Sequence, residues 1–205
     1  MVDDGSVDKS PDICKAVQQR NPNKARYVRQ ANGGPATARN NGIELSRGKY
    51  VAFVDADDKV SPDFITRMTE IAEETDAQMV ICAYWLINGS EKKCVHYDFP
   101  EGVYAGNDCR KIAMSVLTEK SGGIPPYSWV RLTQRSVFIK SGLRFQTGKT
   151  QKSLFWFLFA FYLVISAMVR WELAHVRTGM IIYYAPLCLK NGSPHRIAEL
   201  TQNRE

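Results

Sequence analysis

The chain has 205 residues, of which 44% are hydrophobic and 23% are charged, and its formal net charge is +6. This composition excludes a largely disordered chain, and the length suits one α/β domain with a sizeable core. The basic balance is compatible with nucleic acid, a membrane surface or phosphate-rich substrates, and by itself it favours none of them. The first residues lack the basic and apolar regions of a signal peptide, so we expect a cytoplasmic protein.

The five cysteines are widely spaced, and no two of them form a Cys-x-x-Cys pair. Such spacing is typical of reduced, buried thiols rather than of a disulfide framework or a zinc site. We therefore expect all of them to be free thiols: Cys14, Cys82, Cys94, Cys109 and Cys188.

The predicted elements alternate between strand and helix. In chain order they are the end of a strand at residues 1–2, a helix over 10–20 opened by Ser10-Pro11, a short strand within 25–30, a helix from Pro35 that ends at Gly48, and a strand over 50–54. An α/β domain seldom begins at the carboxyl end of a strand, so we expect a first strand to be missing.

The alternation continues further along the chain. Ser61-Pro62 opens a helix with Phe64, Met68 and Ile71 on one face, and residues 79–86 read as the next strand. Short strands are expected within 92–104, a helix over 108–117 and a loop over 120–128. This order of elements predicts βαβ units and a mostly parallel, Rossmann-like sheet flanked by helices.

Residues 154–169 are almost wholly apolar. The stretch is slightly short for a bilayer span of about 20 residues. We expect a buried or membrane-contacting helix here, and a transmembrane helix is the alternative.

Two acidic clusters follow predicted strands. Asp3 and Asp4 follow the first, and Asp55, Asp57 and Asp58 follow the strand over 50–54. Ligands of open α/β sheets bind beyond the carboxyl ends of the strands, so both clusters should meet at one edge. Crowded carboxylates suit a hard cation such as Mn²⁺ or Mg²⁺, and in extended backbone the first and third residues of Asp-x-Asp point the same way. The alternative is a solvated acidic turn.

Three segments together resemble the core of glycosyltransferase family 2. They are VDDGSVD at residues 2–8, NGGPATARNNGI at 32–43 and GKYVAFVDADD at 48–58, in the family's order and at its usual spacing. A weaker similarity continues over 127–132 and 136–145. The resemblance implies an α/β GT-A-like fold and an inverting, metal-assisted transfer of sugar from a nucleotide-sugar, expected to be a UDP-sugar, to a glycan or lipid-linked acceptor.

The resemblance also assigns roles by position. Asp4 matches the aspartate that accepts a hydrogen bond from the uracil N–H, and Asp3 is its structural or ribose-side neighbour. Arg39 matches a residue near the nucleotide, with a surface salt bridge as the alternative. Asp57 matches the residue closest to the metal, Mn²⁺ or Mg²⁺, and Asp55 the one nearer the ribose and sugar.

One expected carboxylate is absent. The family's general base is an aspartate in a Glu-Asp pair, and Lys152 and Ser153 stand at that position. No Asp or Glu occurs between Glu119 and Glu172. The catalytic base is therefore unknown, and we expect transfer to be poor. A degenerate nucleotide-sugar-binding remnant and a membrane-associated interaction protein remain as alternatives.

The resemblance sets the expected organisation and partners. Residues 1–118 form the predicted nucleotide-sugar and metal-binding core, and residues 119–205 the acceptor-side and helical region. The expected partners are a nucleotide-sugar and a glycan or lipid-linked acceptor, without nucleic acid. Peripheral contact with the cytoplasmic face of a membrane, in surface polysaccharide synthesis, is a further expectation.

Overall fold

The computed structural model describes residues 1–88, 90–97, 99–106, 108, 109, 111, 127–146 and 182–185, the last four by their backbone. In chain order its elements are β1 (Val2–Asp3), α1 (Ser10–Arg20), β2 (Val28–Arg29), α2 (Gly34–Leu45), β3 (Tyr50–Ala52), α3 (Phe64–Thr75), β4 (Met79–Cys82), β5 (Tyr84–Asn88), β6 (Glu91–Val95), β7 (Gly102–Tyr104), a 3₁₀ turn (Ser128–Val130), β8 (Arg131–Gln134), α4 (Arg135–Ser141) and β9 (Ile182–Ala185). The sequence of strands and helices agrees with the predicted α/β class.

The chain divides into two compact units, each made of two stretches of sequence. The first is Met1–Val51 with Gln134–Phe159, and the second is Ala52–Thr133 with Ala160–Glu205. The predicted division into residues 1–118 and 119–205 stays a prediction.

In the first unit, β1 and β2 form a parallel pair, with Val2 opposite Val28. Its core includes Ile43 from α2 and Phe138 from α4, both almost fully buried. The predicted helix at 10–20 is confirmed in both bounds. Its N-cap is Lys9, and the carboxylate of Asp8 accepts a hydrogen bond from the N–H of Ser10, the first helical residue, at 2.9 Å. A neighbouring side chain thus satisfies an amide that the helix leaves open.

The second unit is built on a mixed sheet in the order β3-β8-β4-β9-β7, with β3 and β8 each crossing the boundary between the units. Strand β9 runs parallel to β4, whereas β8 runs antiparallel to β4 and β7 antiparallel to β9. The predicted parallel direction holds for β1 with β2 and for β4 with β9, but not for β7 and β8. Alternation along the sequence fixes the direction of a strand only where a crossover helix joins it to its neighbour.

Helix α3 packs its predicted face into this unit. Phe64, Met68 and Ile71 are buried as expected, since residues three and four apart share one face of a helix. The helix ends at Asp76, which takes a left-handed conformation with φ of 52°. Its backbone N–H bonds to the carbonyl of Ala72, so the last turn is closed without a glycine.

The strand predicted over 79–86 is two strands. β4 is buried along its whole length, and β5 leaves that sheet to pair with β6 as a separate antiparallel hairpin. Trp85, Leu86 and Ile87 of β5 are about half exposed, at 44%, 57% and 56%. A continuous apolar run cannot show where a chain passes from a buried sheet to an exposed hairpin.

Among the cysteines that the structure describes, Cys94 differs from expectation, and Cys188 lies outside the described residues. Cys14, Cys82 and Cys109 are free thiols, whereas Cys94 is disulfide-bonded. Separation along a sequence does not decide which cysteines meet in the fold, so the prediction of five free thiols is wrong at Cys94.

The segment 154–169 and most of the helix predicted over 108–117 lie outside the described residues. Among the helices that the structure does describe, none has the length and apolarity needed to cross a bilayer.

Candidate nucleotide and metal site

Asp3 anchors the loop that follows β1. Its carboxylate is buried, with Oδ1 accepting the Ser6 N–H at 2.8 Å and Oδ2 accepting the Tyr27 hydroxyl at 2.7 Å. The Arg29 guanidinium lies 3.6 Å from Oδ2. The hydrogen bonds from Ser6 and Tyr27 hold the pKa of Asp3 at about 2, so the carboxylate is ionised. Both carboxylate oxygens accept hydrogen bonds that hold the loop. Of the two roles predicted for Asp3, this favours the structural one, and a contact with ribose stays a prediction.

A glycine in the same loop allows a close approach to the backbone of Asn32. Gly5 has a φ of +82°, and a Cβ built on it would lie 3.0 Å from the backbone nitrogen of Asn32. A side chain at this position would be strained and would push the loop away from the turn before α2. Close approach of these two backbones brings the next carboxylate, that of Asp4, to the start of the helix.

Asp4 is partly exposed and accepts two hydrogen bonds on the same oxygen. The Gln30 amide donates to Oδ1 at 2.7 Å, and the backbone N–H of Gly33 donates to Oδ1 at 2.9 Å. Gly33 is the N-cap residue of α2, so the carboxylate lies at the positive end of that helix. The Gly33 N–H, more than any other group, lowers the pKa of Asp4 against the opposing effect of burial. Asp4 is therefore an oriented, ionised acceptor.

Gln30 is itself held by helix α2. The Asn41 side chain donates to Gln30 Oε1 at 2.8 Å, which fixes the amide that reaches Asp4. Neither Gln30 nor Asn41 was predicted to be a site residue. Asn41 lies inside the segment NGGPATARNNGI, where the residue expected near the nucleotide was Arg39.

Arg39 lies over the aromatic ring of Phe145, with Cζ 5.6 Å from the ring centroid. This cation–π contact was not among the predicted roles of Arg39, and the alternative of a surface salt bridge stays a prediction. The neighbouring Asn40 bonds to the backbone of Phe145, and Glu44 pairs with Arg144. One face of α2 thus contacts the segment that precedes the expected catalytic region. Contact of Arg39 with a nucleotide stays a prediction.

The Asp-x-Asp segment belongs to the second unit and forms a turn. The Asp58 N–H donates to the Asp55 carbonyl at 3.1 Å, so the backbone is bent across Ala56 and Asp57. The expectation of an extended segment is wrong here, because a reverse turn does not alternate its side chains as a strand does. Asp55 is partly buried and Asp57 is exposed.

The carboxylates of this turn repel one another. Burial, and then the charges of Asp57 and Asp55, raise the pKa of Asp58. Within the residues described, no group of three or more His, Cys, Asp or Glu side chains is arranged to hold a metal ion. Three earlier assignments stay predictions: metal binding by Asp57, a position near the ribose for Asp55, and convergence of this turn with Asp3 and Asp4. Lys152 and Ser153 lie outside the described residues.

Comparisons with known proteins agree with the resemblance. The profile of glycosyl transferase family 2 matches residues 1–142. The uncharacterized glycosyltransferase YibD of Escherichia coli is 33% identical over 161 residues, which are 76% of this chain and 45% of YibD. Glycosyltransferase GlyG of Streptococcus pneumoniae is 38% identical over 98 residues, which are 47% of this chain and 32% of GlyG.

The fold is similar to that of a solved structure with a bound nucleotide-sugar. S. aureus TarS 1-349 in complex with UDP-GlcNAc superposes with a TM-score of 0.62 at 17% identity, covering 94% of this chain and 49% of the TarS chain. The likeness confirms the expected GT-A α/β fold. The chain spans about half or less of the length of these relatives. Since the profile covers more than half of the chain, the chain belongs to glycosyl transferase family 2.

Proposed function

We propose that this chain binds the nucleotide-sugar donor of an inverting, metal-assisted glycosyltransferase that transfers a sugar from a UDP-sugar to a glycan or lipid-linked acceptor. The observation that carries the proposal is the geometry of Asp4. Its carboxylate is held at the start of α2 by Gln30 and Gly33, and those bonds keep it ionised.

An ionised carboxylate in this position is suited to a uracil ring. The ring N–H is a donor, and a charge-assisted hydrogen bond to a fixed carboxylate is stronger than one to a neutral acceptor. The binding of UDP-GlcNAc by TarS, which shares the fold, supports a nucleotide-sugar as the ligand. Asp3 contributes by holding the loop, and Arg39 is placed by the same helix that orients Asp4.

The turn at residues 55–58 fits a divalent cation in its chemistry. It offers the carboxylate oxygens of Asp55, Asp57 and Asp58, which Mg²⁺ and Mn²⁺ prefer as ligands. Asp57, which is more exposed than Asp55, would bind the metal, and Asp55 would lie nearer the ribose. The metal would stabilise the charge of the departing diphosphate.

A second candidate function is nucleotide-sugar binding without transfer. Lys152 and Ser153 occupy the expected position of the general base, and neither is an effective base at neutral pH without a strongly shifted pKa. Binding of a UDP-sugar with no turnover would identify this case.

We also propose, for the transferring enzyme, peripheral contact with the cytoplasmic face of a membrane. Membrane partition without any nucleotide binding would identify an interaction protein instead.

The proposal is tested by titration calorimetry of the whole chain with UDP, with and without Mn²⁺. We expect metal-dependent binding that Asp4→Asn weakens strongly and that Asp57→Ala renders independent of metal. The matched control is Asp12→Asn, an exposed aspartate on α1 whose substitution should leave binding unchanged. Equal UDP affinity in the unmodified chain and in Asp4→Asn would exclude the nucleotide site. Equal affinity with and without Mn²⁺ would exclude the metal assignment alone.

A further inference from the structure

Three aromatic side chains of the second unit form a cluster, here called the aromatic cluster: Tyr84, Tyr127 and Trp129. The rings of Tyr127 and Trp129 are stacked, with centroids 5.2 Å apart and planes 10° from parallel. The ring of Tyr84 stands edge-on to Trp129, with centroids 4.7 Å apart and planes at 88°. All three side chains are partly exposed, so the cluster lies at the surface of the unit rather than in its core.

The backbone that carries these rings is held by buried polar groups. The guanidinium of Arg131, which is only 3% exposed, donates to the Tyr127 carbonyl. The Tyr97 hydroxyl donates to the Cys82 carbonyl at 3.0 Å, just before Tyr84 in the chain. These hydrogen bonds hold the backbone of the two segments that bear the cluster. The rings are therefore held in place before any ligand binds.

The cluster lies at the edge of the sheet where ligands of α/β proteins bind. Tyr84 follows the carboxyl end of β4, and the carboxyl end of the parallel strand β9 lies at the same edge. Strand β8 runs antiparallel to β4, with Ile81 opposite Arg131, so the residues that lead into β8 also lie at this edge. Tyr127 and Trp129 therefore meet Tyr84 beyond the carboxyl ends of β4 and β9.

The chemistry of the cluster suits a sugar ring. One face of a pyranose carries C–H groups, which pack against an aromatic face, while its hydroxyls need nearby hydrogen-bonding groups. Tyrosine and tryptophan combine an apolar ring with a hydroxyl or an N–H donor. A purely structural cluster would be expected to turn its rings into the core, whereas these three remain partly exposed.

We propose that the aromatic cluster is a stacking platform for a pyranose ring of the donor sugar or of the acceptor glycan. This inference rests on the proposed function and extends it, since it places saccharide recognition on Tyr84, Tyr127 and Trp129. Trp129 is the principal contact, because its ring packs against both tyrosines and its indole is the largest ring system of the three.

The experiment compares three variants of the whole chain: Trp129→Ala, Trp129→Phe, which keeps a smaller stacking face, and Tyr84→Phe, which keeps the ring. Trp85→Ala is the matched control, since Trp85 is an exposed tryptophan on the adjoining hairpin. Dissociation constants are measured by calorimetry for UDP, for UDP-glucose, UDP-galactose and UDP-GlcNAc, and for the corresponding methyl pyranosides and disaccharides at millimolar concentration. Thermal unfolding of each variant checks that it is folded.

We expect Trp129→Ala to weaken saccharide binding by about tenfold and Trp129→Phe to weaken it less. Unchanged UDP binding with weaker UDP-sugar binding would assign the donor sugar to the cluster. Weaker binding of a free saccharide alone would assign the acceptor. Failure of the unmodified chain to bind UDP would count against the proposed function, and the free-saccharide titrations would still test the platform. Equal saccharide affinity in the unmodified chain and a folded Trp129→Phe or Trp129→Ala variant would overturn the inference, as would no binding of any UDP-sugar or saccharide.

Discussion

The side chain of Asn40 is bonded to the backbone of Phe145 at both of its polar atoms. Nδ2 donates to the Phe145 carbonyl at 2.8 Å, and Oδ1 accepts the Phe145 N–H at 2.7 Å. The amide thus pairs with a single residue as a neighbouring strand would. Asn41 holds Gln30, which holds Asp4, so helix α2 is linked to the loop after β1 through Asn41 and to Phe145 through Asn40.

Removal of this pairing should lower the stability of the fold. Asn40→Ala leaves the amide and the carbonyl of a buried residue without their partner, which costs about 1–3 kcal/mol of unfolding free energy. Asn40→Asp should also destabilise, since a carboxylate accepts from the Phe145 N–H and repels its carbonyl. Urea unfolding measures both, with Asn23→Ala as the control at an exposed asparagine. A loss no larger than that of the control would show that the pairing contributes little.

The position of Asp4 should depend on Gln30. Gln30→Met has a similar shape but removes the bonds to Asp4 and to Asn41, so the carboxylate loses one of the two donors that orient it. We expect the dissociation constant for UDP to rise about three- to tenfold. Calorimetry of Gln19→Met, an exposed glutamine on α1, gives the matched control. If Gln30→Met binds UDP as tightly as the unmodified chain, the backbone donors at the start of α2 are sufficient to orient Asp4.

Asp3 should make the protein sensitive to acid. Its pKa is about 2 in the fold against an ordinary value of 3.8. A lowered pKa adds stability that is present above the ordinary value and is lost as the pH falls towards about 2. Unfolding free energies measured between about pH 5 and pH 2 should therefore fall more steeply for the unmodified chain than for Asp3→Asn. The two curves would run parallel if Asp3 had the same pKa in the folded and unfolded states. Asp12→Asn, at an exposed aspartate, serves as the control.

The chain as written should transfer sugar slowly. General-base assistance contributes about 10²–10⁴-fold, and the expected position holds Lys152 and Ser153 in place of Glu-Asp. Lys152→Glu combined with Ser153→Asp should raise the rate of UDP release in the presence of acceptor. Lys152→Gln with Ser153→Asn, which supplies no carboxylate, is the matched control. Rapid turnover by the unmodified chain would mean that another group is the base, and Glu172 would be the first to substitute.

Local patterns predicted much of this structure. Ser10-Pro11 predicted the start of α1, and the spacing of Phe64, Met68 and Ile71 predicted the buried face of α3, because both signals depend on residues a few positions apart. The division between β4 and β5 was not predictable, since residues 79–86 are one continuous apolar run that is compatible with a single long strand. The antiparallel directions of β7 and β8 depend on pairing between distant segments, which no local pattern encodes.

The candidate site divides in the same way. Asp3 and Asp4 were predicted because they are acidic residues that directly follow a predicted strand, within a segment that resembles the family. Gln30 and Asn41 were missed because their importance comes from contacts, and neither residue type is distinctive in a sequence. The turn at residues 55–58 shows a related limit, since spacing alone could not tell an extended Asp-x-Asp from a bent one.

The discontinuity of the first unit has a consequence for how the protein is made. Asn40 and Phe145 are 105 residues apart, and the ribosome adds about 5–20 residues per second, so roughly 5–20 seconds separate their synthesis. During that interval the nascent chain carries α2 without the segment that covers one of its faces. Closing so long a loop is also entropically costly. Helix α2 is therefore among the elements that reach their final packing late, because the residue that pairs with Asn40 is made long after it.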